Sequence, residues 1–273
     1  MRSFLRKYKN ISSLYWHDAF LHLSGAYRTE RSVSFCTGVK DRLEHLQETV
    51  IKNLEDNKDY PSLEIVILNY DCPNPKTERW IKSSLHEHIQ SGRVNYYYYP
   101  DAPNYEMSHA KNLAHRLAKG DILCNLDADN FTGPGFARFI SAQLNDGHSY
   151  LTGPRDGRGL GGRIALLRQH FKLTGGYDER FTDWGSEDSE FISRLNQLEL
   201  NCRHIFRSQH LNSIQHSDEL RMRYSKFDDK WESNEASMAL SEANQSEKLL
   251  NPNGISFGTG HVQHNFRKWI TVR

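Results

Sequence analysis

The 273-residue sequence has no long hydrophobic run and few cysteines. No apolar segment approaches the roughly 20 residues that a helix needs to cross a bilayer, and the N-terminus lacks the hydrophobic segment of a signal peptide. The four cysteines are scattered and form no CxxC pair, which favours reduced, buried thiols over disulfides. These absences predict a cytoplasmic protein.

Net charge is nearly absent as well. The formal net charge of +1 gives no overall basic field, so we expect no nucleic-acid partner. A hydrophobic content of 37% and a charged content of 25% fit a soluble globular chain of one or two domains. Basic residues do gather in residues 1–31, among interspersed aromatic residues. This extension is predicted either to dock on an anionic membrane surface as an amphipathic element or to pack as a helix on the main domain.

From residue 32 onward, short apolar runs alternate regularly with amphipathic segments. The predicted strands cover residues 32–37, 63–69, 94–99 and 121–126. The predicted helices cover residues 41–54, 77–89 and 108–119, the last stopping at Gly120. Repeated strand–helix units predict an α/β fold, with a mostly parallel central sheet flanked by helices and with ligands at the C-terminal ends of the strands.

Beyond residue 135 the pattern is less regular. A strand is predicted at 161–167, a helix at 186–200 and a strand at 202–207. The charged residues 217–246 are predicted to form a helix or an ordering lid, and residues 251–264, rich in Gly, Asn and His, to form a loop.

These patterns divide the chain into three parts. The N-terminal helical or amphipathic extension (1–31) precedes a main domain (32–216), and a C-terminal helical and loop extension (217–273) follows it. The main domain is predicted to have a nucleotide-binding half (32–130) and an acceptor and catalytic half (131–216).

Two carboxylates, Asp127 and Asp129, directly follow the last apolar strand of the first half. In an extended segment, residues two apart project the same way, so both carboxylates can converge on one hard cation. Such a cation neutralises the charge on a departing nucleoside diphosphate by acting as a Lewis acid. A polar turn is the alternative. The position after a buried strand, at the ligand edge of the sheet, favours the metal site.

A second acidic cluster lies at residues 184–188, where a helix is predicted to begin. Ser186 is a candidate N-cap, and Glu187 and Asp188 occupy the first turn, where the helix dipole favours anions. Capping alone explains the acids, but it does not explain Trp184, which can form a sugar platform beside a base. In a sugar transfer, a hydroxyl of an acceptor molecule attacks the sugar and loses its proton to a base. Because neighbouring helical residues point about 100° apart, we expect one acid to orient this acceptor and the other to take the proton of its hydroxyl.

The predicted ligand edge carries further candidates for donor binding. Thr37 ends the first strand, and Lys40 and Arg42 in the loop that follows can reach phosphate oxygens, with a solvated helix start as the alternative. Asp71 closes the second strand, where it either hydrogen-bonds a uracil imide or forms an Asx-turn.

Among 14 histidines, His216 is the candidate that can complete the ligands of the cation. It follows the predicted strand at 202–207, and His210, His261 and His264 compete for the same role. The whole assignment requires the loop at 127–129 and the helix opening at residue 187 to face one shared cleft.

Three segments between residues 33 and 217 resemble metal-dependent glycosyltransferases of the GT-A (Rossmann-like) fold. The resemblance is strongest to the β-1,4-galactosyltransferases, with the family-2 glycosyltransferases behind them. Residues 39–46 (VKDRLEHL) are similar to the galactosyltransferase loop F-R-N-R-x-x-H-L, and residues 125–129 (NLDAD) to its D-x-D strand end. Residues 176–195 match in spacing G-F…W-G-G-E-D-D-D…R-L, and His216-Ser217 resembles the H-S that follows. Asn112 lies in a segment similar to the A-R-N…A-x-G-D run of family-2 enzymes.

The resemblance implies a role for each matching residue. Asp129 and His216 would bind the metal, which would be Mn²⁺ or Mg²⁺. Asp188 would be the base, and Glu187 would contact the acceptor or the donor. The donor contacts implied or expected are Thr37, Lys40, Arg42, Asp71, Asn112, Asp127 and Trp184. Two positions depart from the galactosyltransferase pattern, since Ser213 replaces a methionine and Ser186 a glycine.

The sequence therefore predicts an inverting, metal-dependent glycosyltransferase. It would move a hexose or N-acetylhexosamine, galactose-type by resemblance, from a UDP-sugar to a hydroxyl of a glycan or lipid-linked saccharide. We expect a cytoplasmic, bacterial enzyme of polysaccharide biosynthesis, peripheral at the inner face of the plasma membrane if residues 1–31 dock there. The alternatives are a retaining glycosyltransferase, a nucleotidyltransferase and a non-catalytic carbohydrate-binding protein on the same fold.

Overall fold

The computed structural model describes residues 30–227 and 229–273 of the protein. The predicted extension at 1–31 lies outside the described residues except for its last two. The backbone N–H of Arg31 donates to Ser141 Oγ at 3.1 Å, and its carbonyl accepts from the Tyr60 hydroxyl at 2.5 Å. None of the helices in these two ranges is long and apolar enough to span a bilayer.

Strands and helices alternate through the first half of the described chain, as the sequence predicts. The strands are β1 (Val33–Val39), β2 (Leu63–Tyr70), β3 (Val94–Tyr99), β4 (Ile122–Asn125), β5 (Asn130–Phe131), β6 (Ser149–Thr152), β7 (Ile164–Leu167), β8 (Asn201–His204), β9 (Asn212–Ser213), β10 (Gly260–His264) and β11 (Lys268–Val272). The helices are α1 (Leu43–Asp56), α2 (Pro75–Ser84), α3 (His86–Gln90), α4 (Met107–Leu117), α5 (Phe136–Gln143), α6 (Arg168–Leu173), α7 (Glu187–Gln197), α8 (Asp218–Met222) and α9 (Lys230–Ser246).

Nine of the described strands form one sheet in the order β11-β10-β3-β2-β1-β4-β7-β6-β8. Its centre, β3-β2-β1-β4, is parallel throughout, and β10 and β7 join this centre antiparallel on either side. The remaining pair, β5 and β9, forms a separate antiparallel ribbon. The predicted α/β fold with a mostly parallel central sheet flanked by helices is confirmed.

Two hydrophobic cores lie on the two faces of this sheet. Successive residues of a strand point to opposite faces, so Phe35 of β1 enters one core and Cys36 the other. All four cysteines are free, and Cys36 and Cys124 are buried as expected, whereas Cys202 is exposed.

The prediction of a loop at 251–264 is wrong for its last five residues. They form β10, which pairs with β3 on one side and β11 on the other. Val262 is fully buried, and the His264 ring stacks on Tyr97 at 4.5 Å between centroids. The Gly, Asn and His composition conceals this strand because its partners, and not its own propensity, decide the conformation.

Two predicted helix boundaries also differ. The helix predicted at 77–89 is divided at Leu85, which is fully buried and leaves the helical conformation between α2 and α3. The helix predicted to stop at Gly120 already ends at Leu117. A Cβ at Gly120 would lie 2.7 Å from the backbone N of Ser34, so glycine is required there by the close approach of β1.

Two histidines are buried in the cores as neutral rings. Nδ1 of His115 donates to the Lys111 carbonyl and Nδ1 of His210 to the Thr132 carbonyl, each at 2.7 Å. The Nε2 atoms of both rings have no hydrogen-bond partner within the described ranges. Burial lowers the pKa of each histidine to about 4. Protonation would therefore place an unpaired charge in an apolar surrounding.

This burial predicts an acid-sensitive fold. Between about pH 6.5 and pH 4 the unfolded chain binds protons at these histidines and the native protein does not, so stability falls as the pH falls through that range. Over this range, each histidine lowers the free energy of unfolding by on the order of 3 kcal/mol. Urea unfolding should therefore show that His115→Phe loses less free energy of unfolding between pH 7 and about pH 4.5 than the unsubstituted protein does. His86→Gln, an exposed control, should follow the unsubstituted protein; equal losses for His115→Phe would contradict the assignment.

Candidate active site

A cleft of about 370 Å³ opens where β1 and β4 end and α7 begins. Its walls are completed by the glycine-rich loop at 157–162 and by the chain around residues 216–224. Predicted site residues from both halves of the main domain line it: Lys40, Arg42, Asp127, Asp129, Trp184, Glu187, Asp188 and His216. The loop at 127–129 and the helix opening at 187 thus face one shared cleft.

Asp129 and His216 are in contact in this cleft. Asp129 Oδ2 lies 3.0 Å from His216 Nε2, and Asp129 Oδ1 accepts from the Asn130 side-chain amide at 2.6 Å. The approach follows from the β5–β9 ribbon, which pairs Asn130 with Ser213. The backbone N–H of Ile214 also donates to the Asp129 carbonyl at 2.8 Å. A short ribbon between distant segments therefore creates this pair.

A carboxylate beside an imidazole suits a divalent cation. Nowhere in residues 30–227 and 229–273 do three or more His, Cys, Asp or Glu side chains form a group that could hold a metal. A divalent cation at this site would take two ligands from Asp129 and His216, and donor oxygens and water would supply the others. The ring of His45, in the motif at 39–46, lies edge-on to His216 at 5.7 Å between centroids.

Asp127 is held beside the acids of α7. Its Oδ1 accepts from Asn125 Nδ2 at 3.1 Å. Burial raises the pKa of Asp127 to about 6; the Lys111 ammonium opposes that rise, and the charges of Asp129 and Asp188 add to it. The cleft thus concentrates negative charge around the buried ammonium of a lysine.

That cation, Lys111 of α4, is the site residue that the sequence analysis missed. Its Nζ donates to Glu187 Oε1 at 2.9 Å and to Asp188 Oδ1 at 2.7 Å. Burial alone lowers the pKa of Lys111, but the carboxylates of Asp188 and Glu187 raise it well above its usual range. The two acids, expected to act separately, share one ammonium. The only signal in the sequence was the Ala-Lys-Asn segment, noted for its asparagine.

Gly162 lies between the carboxylates. A Cβ on this residue would be 2.7 Å from Asp188 Oδ2 and 3.2 Å from Asp127 Oδ2. The Gly162 carbonyl accepts from Asn125 Nδ2 at 2.9 Å, which keeps the loop in place. A side chain would therefore displace the acids, and the Oδ2 atoms of Asp188 and Asp127 face the same small space.

The start of α7 differs in one detail from the prediction. Ser186 is at the N-cap, but its φ is +58° and its side chain makes no capping hydrogen bond to any described residue. Glu187 and Asp188 do occupy the first turn. Trp184 lines the cleft, with the Lys230 ammonium of α9 4.7 Å from its ring centroid. The tryptophan is therefore held in place by the C-terminal extension.

Two residues expected to bind the donor are buried structural groups. Thr37 Oγ1 donates to the Leu126 carbonyl at 2.8 Å and joins β1 to the end of β4. The Asn112 amide donates to the Tyr177 carbonyl and accepts from the Tyr177 N–H, both at 2.7 Å. Both residues are buried, and neither of them lines the cleft. Their polar atoms form hydrogen bonds to the backbone of neighbouring segments.

Asp71 is the third residue that the structure does not bring into the cleft. Its carboxylate accepts from the Tyr98 hydroxyl and from the Ala102 N–H, each at 3.0 Å. The turn after β2 is closed by a different residue, Asn69, whose Oδ1 accepts from the Cys72 N–H at 2.9 Å. The Asp71 carboxylate therefore does not make the Asx-turn that was the alternative for this residue, and the uracil contact stays a prediction.

Lys40 and Arg42 line the cleft, but their charged groups donate hydrogen bonds to backbone carbonyls. The Lys40 ammonium donates to the Asp71 carbonyl at 2.7 Å and the Ala102 carbonyl at 2.5 Å, and burial lowers its pKa. The Arg42 guanidinium donates to the Leu220 carbonyl in α8. A phosphate contact by Lys40 would require these bonds to break, so the structure gives this lysine a structural role.

A second cavity of about 360 Å³ adjoins the first. It shares Trp184, Glu187 and Asp188 with the main cleft. Five residues line the second cavity and not the first: Pro154, Arg155, Gly185, Ser186 and Ser189. Asp188 therefore lies where two compartments meet, with the Asp129–His216 pair in the wall of the first compartment only.

Residues 147–217 match the family model described as the N-terminal domain of galactosyltransferase. This segment contains two of the motifs that carried the resemblance in the sequence, at 176–195 and at His216-Ser217, while those at 39–46 and 125–129 lie outside it. No curated protein sequence matches the chain.

Solved structures show the same fold at low sequence identity. A mannosyltransferase from Pyrobaculum calidifontis, in complex with GDP-Man and Mn²⁺, is 18% identical with a TM-score of 0.54 and covers 72% of this chain and 65% of its own. The 1-349 fragment of TarS from S. aureus is 13% identical with a TM-score of 0.51, covering 64% and 58%, respectively. The same TarS fragment with UDP is 12% identical with a TM-score of 0.52, covering 79% and 72%.

The chain thus spans less than two thirds of the length of the first two of these structures. Their likeness, together with the matched segment at 147–217, confirms the predicted resemblance to glycosyltransferases of the GT-A fold.

Proposed function

We propose that this chain of glycosyltransferase fold is an inverting enzyme that transfers a hexose or N-acetylhexosamine from a UDP-sugar. The acceptor is a hydroxyl of a glycan or a lipid-linked saccharide. The observation that carries the proposal is the position of Asp188, where a cleft bearing the Asp129–His216 pair meets a second cavity. Transfer needs such a junction, because donor and acceptor must meet at one base.

The main cleft accommodates the donor. Asp129 and His216 are the residues that would hold a divalent cation against the diphosphate, and Trp184 offers a ring for the sugar. A bound cation supplies charge stabilisation to the departing nucleoside diphosphate. The solved relatives with GDP-Man and with UDP support a nucleotide-linked donor on this fold.

The second cavity accommodates the acceptor, so its hydroxyl reaches Asp188 from the side of Ser186 and Ser189. As the acceptor oxygen forms its bond to the anomeric carbon, Asp188 takes the hydroxyl proton. The bond between the anomeric carbon and the diphosphate oxygen breaks on the opposite face, and the leaving group keeps the electron pair. Attack from the face opposite the leaving group inverts the anomeric centre.

The proposal is tested with a panel of UDP- and GDP-sugars, each incubated with and without Mn²⁺. We expect one UDP-hexose or UDP-N-acetylhexosamine to be hydrolysed slowly alone and consumed faster when oligosaccharide acceptors are added. NMR of the product should show an anomeric configuration opposite to that of the donor. Retention of configuration, or the absence of turnover with every donor, would refute this function.

A further inference from the structure

We propose that Lys111 is a positioning residue for transfer, holding Asp188 by Oδ1 so that Oδ2 receives the acceptor proton. The inference rests on the proposed function. Lys111 belongs to α4, and it reaches across the cleft to two acids 76 and 77 residues later in the chain. Its side chain is only 5% exposed, whereas that of Asp188 is 22% exposed. The buried lysine therefore holds the more exposed aspartate in place.

The contacts of Asp188 distinguish its two oxygens. Oδ1 is bonded to the Lys111 ammonium at 2.7 Å. Oδ2 is the atom that faces Gly162, where even a Cβ would lie only 2.7 Å away. Gly162 lines both cavities. Because Oδ1 is anchored on Lys111, Oδ2, which lies beside Gly162, is the oxygen left to take a proton.

The ammonium is itself held firmly. It also binds Glu187 Oε1 at 2.9 Å and lies 5.0 Å from the centroid of the Tyr177 ring. The next residue of α4, Asn112, is bonded to the Tyr177 backbone in both directions. Glu187 thus serves as a second anchor, and rotation of Asp188 about its side-chain bonds would break a contact to a fixed cation.

The cost of burying charged groups argues that Lys111 does more than stabilise the fold. Removing an ammonium group and a carboxylate from water is unfavourable, and well-packed apolar residues often stabilise a core as well or better. The distribution of charge points to a role in the site, because the Lys111 ammonium faces the carboxylates of Asp127, Glu187 and Asp188. Without it, Asp188 would be repelled by two neighbouring acids and would turn toward solvent.

The test is a double-mutant cycle of Lys111→Met and Asp188→Asn, measured with a radiolabelled donor. We expect Lys111→Met to lower kcat by about 100-fold in the unsubstituted background, since a misplaced base loses most of its effect. In the Asp188→Asn background the same change should lower kcat by less than about threefold, because no base remains to be positioned. The affinity for UDP should stay within about threefold in all variants, since Lys111 binds the acids of α7 and not the Asp129–His216 pair.

His115→Phe is the matched control, because this residue is buried one turn further along α4 and bonds the backbone carbonyl of Lys111, not its ammonium group. It should keep the unsubstituted kcat. If Lys111→Met fails to fold, Lys111→Gln takes its place, since the amide can still donate to one carboxylate without a charge. Equal losses in both backgrounds, or an unchanged kcat, would overturn the assignment. Failure of the proposed function would show differently, as no turnover of any donor by the unsubstituted protein.

Discussion

Replacing Asp188 by Asn should lower turnover by about 10²–10⁴-fold while UDP binding stays near that of the unsubstituted protein. The amide keeps the shape of the side chain but cannot take a proton from the acceptor. Asn also offers its carbonyl oxygen to the Lys111 ammonium, so the bond now made by Oδ1 has a replacement. Steady-state kinetics with saturating donor, together with calorimetry of UDP binding, measures the two quantities separately.

The control for this substitution is Asp156→Asn. Asp156 is an exposed acid in the same half of the domain, paired with Arg158 and not among the residues that line the cleft. Its replacement should leave kcat unchanged. An Asp188→Asn protein with nearly normal activity would show that another group takes the proton.

Replacing Asp129 by Ala should abolish the part of UDP binding that depends on a divalent cation. The substitution removes the carboxylate that contacts His216, and one imidazole is a poor site for a hard cation. Calorimetry with UDP and Mn²⁺ is expected to show affinity falling to the level measured for the unsubstituted protein with a chelator. The fold should persist, because Asp129 is half-buried at a turn and β5–β9 pairing uses backbone bonds.

Two comparisons separate a metal effect from a general loss of charge. Asp156→Ala removes an acid outside the cleft and should keep metal-dependent binding intact. His216→Ala should resemble Asp129→Ala, since both residues belong to the same pair. UDP affinity that is unaffected by Asp129→Ala in the presence of Mn²⁺ would place the cation elsewhere.

The parts of the fold that were predicted depend on local signals. β2 is recognisable because a short apolar run rich in β-branched residues, such as 65–68, has few alternatives to a buried strand. Asp127 and Asp129 follow β4 directly, and the acids at 187–188 open a helix, so their place at the ligand edge follows from topology. The meeting of both acidic segments in one cleft was therefore accessible from sequence.

The parts that were not predicted depend on partners far along the chain. Lys111 looks like any helical lysine until α7 brings Glu187 and Asp188 to it. Asn112 has the residue type expected of a ligand-binding group, but its amide satisfies the backbone at Tyr177, a contact over 65 residues. A buried polar side chain must find a partner somewhere, and sequence alone does not say whether that partner is a ligand or the chain itself.

The return of the chain's last segment to the sheet changes what can be removed from this protein. β10 covers the edge of β3, and Asn244 of α9 donates to Glu190 of α7 at 3.0 Å and to Asp178 at 2.8 Å. A fragment stopped at residue 216 would leave one edge of β3 unpaired and open to self-association, and would loosen α7, whose first turn carries Glu187 and Asp188. An expression design that trims residues 217–273 as a dispensable appendage would therefore remove two strands of the sheet and the hydrogen bond that α9 makes to α7.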